Sequence, residues 1–286
     1  MVKKRKGMKI ALICIAVAVI AMIIFLLIIG APVAWFIFSL SRNDRIAREV
    51  IQPKAEAYIA EAYPDTDFVL GEAYYGFKRM DYWVEVSSPS SKDTYFELSF
   101  NEDTYELCED TYKTAVLGGH NTRDRLIEEY SLLVEDCLAS IDGFYRLSSD
   151  FCRYSEKSTS DTYFSPDGLD ASTLILDHEY DVAVMGGEYG TLELVIISPV
   201  EEIDPEGAYK LLLEIDRRLT EKGIGYAWLE VTLQDAAYPN AEVKFHIYDV
   251  SPEDLHRDNA LSRLQELWDA QEKTRQEVKA QRESDE

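Results

Sequence analysis

The sequence predicts an α+β fold that follows an N-terminal transmembrane helix, with antiparallel sheets and helices packed on one face. Three observations support this prediction: an uncharged run over residues 10–40, alternating apolar and polar residues over 81–100, and a sharply bounded amphipathic segment over 205–222. Alternation with a period of two is typical of half-buried antiparallel strands, and strands interrupted by helices favour α+β architecture.

Residues 10–40 are predicted to be a membrane anchor, preceded by a cytoplasmic basic tail over residues 1–9. The tail carries five cations: Lys3, Lys4, Arg5, Lys6 and Lys9. The run that follows exceeds the roughly 20 apolar residues that a helix needs to cross a bilayer. Because more cations precede the run than closely follow it, the positive-inside rule places the N-terminus in the cytoplasm and the rest of the chain outside.

A cleaved signal peptide is the competing interpretation of the same run. Its apolar part is longer than the ~7–15 residues that signal peptides use, and Pro32 interrupts the small residues near its end. These features favour an uncleaved single-pass anchor, so the lipid bilayer is the first predicted partner.

The chain beyond the anchor is strongly acidic. It contains all 53 acidic residues and 24 of the 29 basic ones, a formal charge of −29. Such a surface repels nucleic acid, which we therefore do not expect as a partner. It would attract cations and basic peptides, but a simply solvated surface is the favoured explanation of the composition.

Three cysteines follow the anchor, and they cannot all pair within one chain. Cys137 falls on the apolar stripe of a predicted helix, where a buried thiol is expected. The sequence leaves undecided whether Cys108 and Cys152 form a disulfide. No cysteine spacing typical of a metal site is present.

Residues 41–146 are predicted to form a first α+β unit. It begins with a helix over 43–63 that Tyr63–Pro64 ends, and Pro53 is expected to kink it. Two strands follow, in "DYWVEVSS" and "TYFELSF", and the serine-rich "SSPSSKD" between them has the composition of a hairpin loop. A second helix is expected from a cap at Asn121 or Thr122 to about Ser140.

Residues 147–172 are predicted to be a junction loop, residues 173–270 a second α+β unit, and residues 271–286 a polar exposed tail. In the second unit a helix is predicted to begin at Asp204–Pro205 and to end at Gly223, and the last helix begins at Ser251–Pro252. The predicted strands are 173–177, 180–185, 190–198, 226–234 and 241–249.

Few residues suggest chemistry. Asp177, His178, Glu179 and Asp181 form a mixture that would suit a divalent cation, but they lie between two predicted strands and would splay around a turn. "GGEYG" at 186–190 is better explained as a hairpin turn than as a phosphate loop. No G-x-S-x-G, H-E-x-x-H or P-loop motif occurs. We nominate no catalytic, cofactor-binding or metal residue, expect no cofactor, and do not expect an enzyme.

Several short motifs, in order, resemble the YfjL-like proteins of Gram-positive bacteria, which are small membrane-anchored proteins without an assigned activity. The motifs lie between residues 28 and 135: "GAP" at Gly30–Pro32, "YP" at Tyr63–Pro64, "YYGFK" at Tyr74–Lys78, "YWVEVSSPSSKDTYF" at Tyr82–Phe96, "DTY" at Asp110–Tyr112 and "HNTRDRLIEEY" at His120–Tyr130. The resemblance implies a bacterial membrane protein with an extracytoplasmic α+β domain and no cofactor. The helix–YP–strand start is also remotely similar to PepSY-type modules, which would suggest binding to an extracytoplasmic enzyme.

Two hypotheses follow. The first is a non-enzymatic ectodomain at the cell envelope that binds a protein or peptide partner through the exposed faces of its sheets or through its last helix. The second is a cation- or ligand-sensing or hydrolytic ectodomain that uses the acidic residues of Asp177–Asp181.

Overall fold

The computed structural model describes residues 41–152, 168–198, 203–236 and 243–285, together with Phe25 and Val33. The chain divides into two compact units, with the boundary between Val116 and Leu117. In the described part of the chain, no helix combines the length and the apolar character that a bilayer crossing requires. The predicted anchor and basic tail lie outside the described residues, apart from Phe25 and Val33, which are helical and exposed.

The first unit begins with a long helical segment in which a π-helical turn precedes Pro53. A π-helical turn, Ala47–Ile51, leads into helix α1, Gln52–Ala62. Pro53 lies in the first turn of α1, where its missing N–H costs little. Ile51, Ala55 and Ile59 are buried, and α1 ends before Tyr63–Pro64 as predicted.

A five-stranded sheet follows α1, and every pairing in it is antiparallel. Its central strands pair in continuous register from Asp81↔Asn101 to Ser87↔Tyr95, which confirms the predicted hairpin. The order is β1-β3-β4-β5, with β2 also paired to β3. The strands are β1, Val69–Leu70; β2, Tyr74–Gly76; β3, Asp81–Ser87; β4, Tyr95–Asn101; and β5, Leu107–Asp110.

The core of the first unit lies between α1 and one face of this sheet. Alternate residues of β3 and β4 point toward the helix because successive side chains of a strand face opposite sides. The buried side chains are Ile51, Ala55 and Ile59 from the helical segment, Tyr82, Val84 and Val86 from β3, and Phe96, Leu98 and Phe100 from β4.

The second unit contains a four-stranded sheet with the order β6-β7-β8-β9. Its strands are β6, Phe144–Asp150; β7, Thr191–Ser198; β8, Trp228–Asp235; and β9, Val243–Val250. Its helices are α2, His120–Leu138; α3, Val182–Tyr189; α4, Pro205–Glu221; α5, Pro252–Leu255; and α6, Ala260–Asp285.

The prediction of antiparallel sheets is confirmed for the first sheet and for two of the three pairings in the second. The exception is the β7–β8 pair, which is parallel from Thr191↔Trp228 to Ser198↔Asp235. Helix α4 connects these two strands, and a crossover helix returns the chain to the same end of the sheet. Both ends of α4 are as predicted, since Asp204 accepts a hydrogen bond from the Gly207 N–H and Gly223 has a φ of 70°.

Helix α2 packs in the core of the second unit, although the sequence analysis assigned it to the first. Its buried stripe, Leu126, Tyr130, Val134 and Leu138, shares one apolar cluster with α4, β7, β8 and β9. The predicted cap was wrong by two or three residues, because the cap is Gly119 with a φ of 72°, and Asn121 and Thr122 are buried inside the helix.

Two predicted strands, 173–177 and 180–185, are wrong. Ala171–Thr173 is a 3-10 turn, and residues 182–189 form helix α3. The "GGEYG" hairpin is wrong for the same reason, since Gly186 and Gly187 lie within α3. A Cβ on Gly186 would lie 2.3 Å from the Gly225 carbonyl oxygen and 2.5 Å from Cε2 of Tyr130. Gly186 therefore permits close helix packing rather than a turn.

The junction and the tail also differ from their predictions. Residues 147–150 of the predicted junction belong to β6, and 153–167 lie outside the described residues. The predicted tail, 271–286, is helical as far as Asp285, as the continuation of α6. Gln271 is held against β9 by its side-chain amide, which binds the His246 backbone.

Candidate functional site

The residues of the acidic cluster at 177–181 form a turn, local hydrogen bonds and a helix cap. Asp177 has a φ of 58° in a turn, and the His178 N–H binds the Ile175 carbonyl at 3.2 Å. The His178 carbonyl accepts a hydrogen bond from Arg125 at 2.9 Å, and Asp181 caps α3 by accepting from the Val184 N–H at 3.2 Å.

No group of three or more His, Cys, Asp or Glu side chains is arranged to hold a metal ion among the described residues. Asp181 faces the first turn of α3, and the His178 ring packs edge-on against Tyr180 with centroids 4.6 Å apart. The geometry therefore gives the cluster a structural role at the start of α3.

The serine-rich loop between β3 and β4 is organised by Asp67. The Ser88 hydroxyl donates to one carboxylate oxygen at 2.7 Å, and the Ser90 N–H donates to the other at 3.1 Å. Ser91 donates to the Thr94 hydroxyl at 2.6 Å. The bonds from Ser88 and Ser90 lower the pKa of Asp67, with the Ser88 hydroxyl as the main cause. Each donor is used to shape the loop, which agrees with the predicted hairpin turn.

The strongest candidate site is the outward face of the first sheet, opposite its core. We call Tyr74, Arg79, Trp83, Glu85 and Glu97 the acidic face. Trp83 and Glu85 alternate with the core residues of β3, and Glu97 alternates with those of β4. Tyr74 of β2 is the direct partner of Trp83, and this places all four strand residues on one side of the sheet.

Two carboxylates face each other at the centre of this surface. Glu85 and Glu97 are direct partners across β3 and β4. Cβ atoms of such partners are separated by roughly 4.5–5.5 Å, and like charges in this position destabilise the sheet. Glu109 continues the row, because its partner Ser99 lies on the same face of β4 as Glu97. The first sheet thus concentrates negative charge where folding alone does not favour it.

Aromatic rings border the carboxylates, and one of them already binds a cation. The Arg79 guanidinium carbon lies 4.5 Å from the Trp83 ring centroid, in the position of a cation–π contact. Gly76 permits this arrangement, since a Cβ there would lie 3.0 Å from the Trp83 ring. Trp83 is consequently buried although it lies on the outward face.

The electrostatics of Tyr74 report how close these groups are. Burial is the main cause that raises the pKa of Tyr74, and the negative charges of Glu97 and then Glu85 add to it. Arg79 acts in the opposite direction. One phenol therefore senses both carboxylates and the guanidinium, so the acidic face is one electrostatic unit. Carboxylates next to aromatic faces can bind an ammonium or guanidinium group.

The second sheet has a related pair with a different environment. Glu193 and Glu230 are direct partners on the parallel strands β7 and β8. There, Nε2 of His246 lies 3.8 Å from a Glu230 carboxylate oxygen and supplies a counter-charge when it is protonated. The acidic face of the first sheet is the better candidate for an external cation because its carboxylates lie next to an aromatic ring that already holds a guanidinium.

Sequence reasoning identified the strands but not this site. Alternation already placed Glu85 and Glu97 on the polar sides of their strands. Their direct pairing depends on the hairpin register, which a seven-residue loop leaves open. Counting outward from Ser90, the centre of "SSPSSKD", would place Glu85 opposite Tyr95, whereas the observed register is centred on Ser91 and pairs Glu85 with Glu97.

None of the three described cysteines forms a disulfide. Cys108 is exposed on β5 of the first unit, and Cys152 is buried in the second. The disulfide between them, which the sequence left undecided, is not formed. Cys137 is half-buried rather than buried; its thiol donates to the Arg218 carbonyl at 3.5 Å, and burial raises its pKa.

Comparison with known families confirms the YfjL-like resemblance for the first part of the chain. Residues 5–106 match the family model described as YfjL-like, N-terminal domain. All five residues of the acidic face lie in this range. The quoted motifs at Asp110–Tyr112 and His120–Tyr130 lie beyond it. Neither the curated proteins nor the solved structures contain a match to this chain.

Proposed function

We propose that this protein, whose residues 5–106 match the YfjL-like N-terminal domain, is a membrane-anchored extracytoplasmic binding protein without enzymatic activity. Its partner is an envelope protein or peptide that presents an arginine or lysine to the acidic face. The observation that carries the proposal is the direct pairing of Glu85 and Glu97 beside Trp83, which already binds the guanidinium of Arg79.

The anchor part of the proposal is supported by the uncharged run over 10–40 and by the five cations before it. The family match begins at residue 5 and so includes this run. The apolar segment thus lies within the matched range. With the N-terminus in the cytoplasm, the acidic face is presented outside the cell membrane.

The binding part of the proposal rests on charge. A like-charge pair across two strands costs stability, and a cation placed between the carboxylates removes that cost. Arg79 shows what chemistry the surface accepts, because its guanidinium stacks on Trp83. A partner cation would add to this arrangement or replace Arg79 in it.

Topology is tested with a reporter fused after Glu286. Alkaline phosphatase, which is active only outside the cytoplasm, is expected to be active in this fusion, and a cytoplasmic reporter is expected to be inactive. The opposite pattern, or a mature chain trimmed after the apolar run, would overturn the anchor and the location together.

Recognition is tested by titrating the full chain, in uncharged lipid nanodiscs, with an acetylated tetra-arginine peptide. The Glu85→Gln/Glu97→Gln variant is expected to bind about fivefold more weakly, because it loses one exposed and one half-buried ion pair to the peptide. The matched control is Glu61→Gln/Glu135→Gln, which removes the same charge from exposed helix positions. Equal weakening in both variants would show that the bulk charge, not the acidic face, attracts the peptide.

A photo-crosslinking residue in place of Tyr74 tests for a partner in intact cells. We expect one discrete product that is lost in the Glu85→Gln/Glu97→Gln background and retained in the control background. Tyr145 on β6, which is 61% exposed, provides the control position. The same product from both positions would contradict recognition by the acidic face.

A further inference from the structure

Strand β9 forms one edge of the second sheet, and a side chain occupies part of that edge. The amide of Gln271, on α6, binds both backbone groups of one residue of β9. Its Oε1 accepts from the His246 N–H at 3.1 Å, and its Nε2 donates to the His246 carbonyl at 2.6 Å. A neighbouring strand would make the same two bonds, so Gln271 imitates a peptide group.

Arg275 extends this contact by one helical turn. Its guanidinium donates to the Lys244 carbonyl of β9 and lies 5.4 Å from the Trp268 ring centroid. Lys244 and His246 are two residues apart, as expected for outward backbone groups of one edge. We call Gln271 and Arg275 the strap.

The strap holds a part of α6 that contributes little apolar packing. The residues of α6 that pack in the second core are Leu264, Leu267 and Trp268, all before Gln271. Beyond Trp268 the described side chains are polar apart from Ala270, Val278 and Ala280, and Val278 is 46% exposed. Polar bonds to an exposed edge are individually weak, so this part of the helix is the replaceable one.

A cavity of about 230 Å³ lies between the second half of β9 and the first half of α6, and it is lined by residues that precede the strap on the helix. Its lining includes Ile247, Val250, Leu255, Leu264 and Leu267, together with the ion-paired Asp254 and Arg263. The register of the β8–β9 pair shifts at this point, so the pairing of β9 is irregular here. The cavity is large enough for one apolar side chain of a peptide that lies along β9.

We propose that the edge of β9 is a strand-addition site for an extended partner segment, with the strap as a displaceable cover. The added segment pairs with Lys244 and His246 in place of Gln271 and Arg275, and it places an apolar side chain in the cavity. This site is separate from the acidic face, and the two proposals stand or fall independently.

The chemistry of the strap identifies the occupant. An amide that donates and accepts, followed by a guanidinium, already pairs with the edge, and a basic extended peptide offers both groups. A second copy of this chain would also supply an edge, but each copy carries a formal charge of −24, which opposes self-pairing.

The probe is a fluorescein-labelled seven-residue peptide of alternating valine and arginine, titrated into the full chain in uncharged nanodiscs. The Glu85→Gln/Glu97→Gln background is used throughout, so that the acidic face does not contribute. Removing the strap by Gln271→Ala/Arg275→Ala is expected to tighten binding about tenfold, because the peptide no longer competes with three hydrogen bonds. The matched control, Gln265→Ala/Lys273→Ala, removes one amide and one cation from exposed positions of the same helix.

Backbone methylation of the peptide provides the second readout. Methylating the amides that face β9 is expected to abolish binding, whereas methylating the alternate amides leaves it intact. Hydrogen exchange at His246 in the chain with an intact strap gives a measurement that does not depend on the strap variant folding. Absence of binding, equal binding by strap and control variants, equal effects of both methylation patterns, or a concentration-dependent dimer in place of the peptide complex would each overturn the proposal.

Discussion

Nε2 of His256 lies 3.0 Å from Oδ2 of Asp216, so an exposed imidazole is joined to a buried carboxylate. The His256 side chain is 62% exposed and that of Asp216 only 11%. The other carboxylate oxygen of Asp216 accepts from the Tyr226 hydroxyl at 2.8 Å. Asp216 lies on α4 and His256 directly follows α5, so the carboxylate ties the start of the C-terminal helices to the core.

Asp216→Ala is expected to lower the free energy of unfolding by about 2–3 kcal/mol, because it leaves the buried Tyr226 hydroxyl without its acceptor. Asp216→Asn keeps an acceptor but loses the charge, and should cost about 1 kcal/mol. His256→Ala should cost less than either, since water replaces an exposed imidazole. Urea unfolding followed by circular dichroism measures all three. Equal losses in the three variants would contradict this ranking.

Tyr58 and Tyr63 share one carboxylate oxygen of Asp110, at 2.7 and 2.6 Å. Burial, followed by the hydrogen bond to Asp110, raises the pKa of Tyr58 to about 12 from its ordinary value of 10.0. The folded state therefore favours the neutral phenol. This contribution to stability is complete below pH 10 and is lost as the pH rises through about 12.

Tyr58→Phe should consequently make the alkaline loss of stability shallower, and it should cost about 1 kcal/mol near pH 7 through the lost hydrogen bond. Urea unfolding at about pH 9 and about pH 11 gives the comparison. Tyr145→Phe is the control, because that ring is 61% exposed on β6. If Tyr58→Phe and Tyr145→Phe change the pH dependence alike, the shared carboxylate is not its cause.

Gly186 and Gly187 are adjacent in α3 but differ in what surrounds them. A Cβ on Gly186 would lie 2.3 Å from a backbone oxygen, whereas one on Gly187 would lie 3.7 Å from the Gly225 Cα. Gly186→Ala should therefore destabilise the chain by about 1–3 kcal/mol through overpacking. Gly187→Ala should be neutral or stabilising by up to about 1 kcal/mol, since alanine is the better helix former. Thermal unfolding of the Gly186→Ala and Gly187→Ala variants measures this difference in stability.

The Ser88 and Ser90 side chains differ in their exposure to solvent. Ser88 is 8% exposed and donates to Asp67, so Ser88→Ala should cost about 1 kcal/mol. Ser90 is exposed, and Ser90→Ala should change stability by only about 0.5 kcal/mol. Loss of partner crosslinking at Tyr74 in Ser90→Ala without loss of stability would show that the loop does more than turn the chain.

The sequence predicted those elements whose local signals and packing agree. Helix α4 has a cap, a proline in its first turn and a terminal glycine, and its boundaries were correct. The prediction for the α3 segment was wrong because Val182, Val184 and two glycines suggest a strand and a turn. The Asp181 cap and the contact with Gly225 instead favour a helix. The parallel β7–β8 pair could not be predicted, since it depends on which strands α4 brings together.

The candidate site was less predictable than the fold. Composition indicated an acidic surface that attracts basic partners, but not where on the surface the charge converges. The pairing of Glu85 with Glu97 depends on the register of β3 and β4, and the stacking of Arg79 on Trp83 depends on the short strand β2 and the turn after it. Both arise from contacts across strands, which periodicity within one strand does not contain.

Asp181 provides a direct test between a structural and a cation-binding role for residues 177–181. As the cap of α3 it accepts from the Val184 N–H, so Asp181→Ala should cost about 1 kcal/mol. Asparagine caps helices about as well as aspartate, so Asp181→Asn should be nearly neutral. A cation ligand would behave differently, because the neutral amide is a much weaker ligand for calcium or magnesium. Calorimetric titration of the parent chain and of Asp181→Asn with calcium, magnesium and zinc should therefore give identical heats. A heat that is present in the parent and lost in Asp181→Asn, with stability unchanged, would instead support the cation-sensing hypothesis.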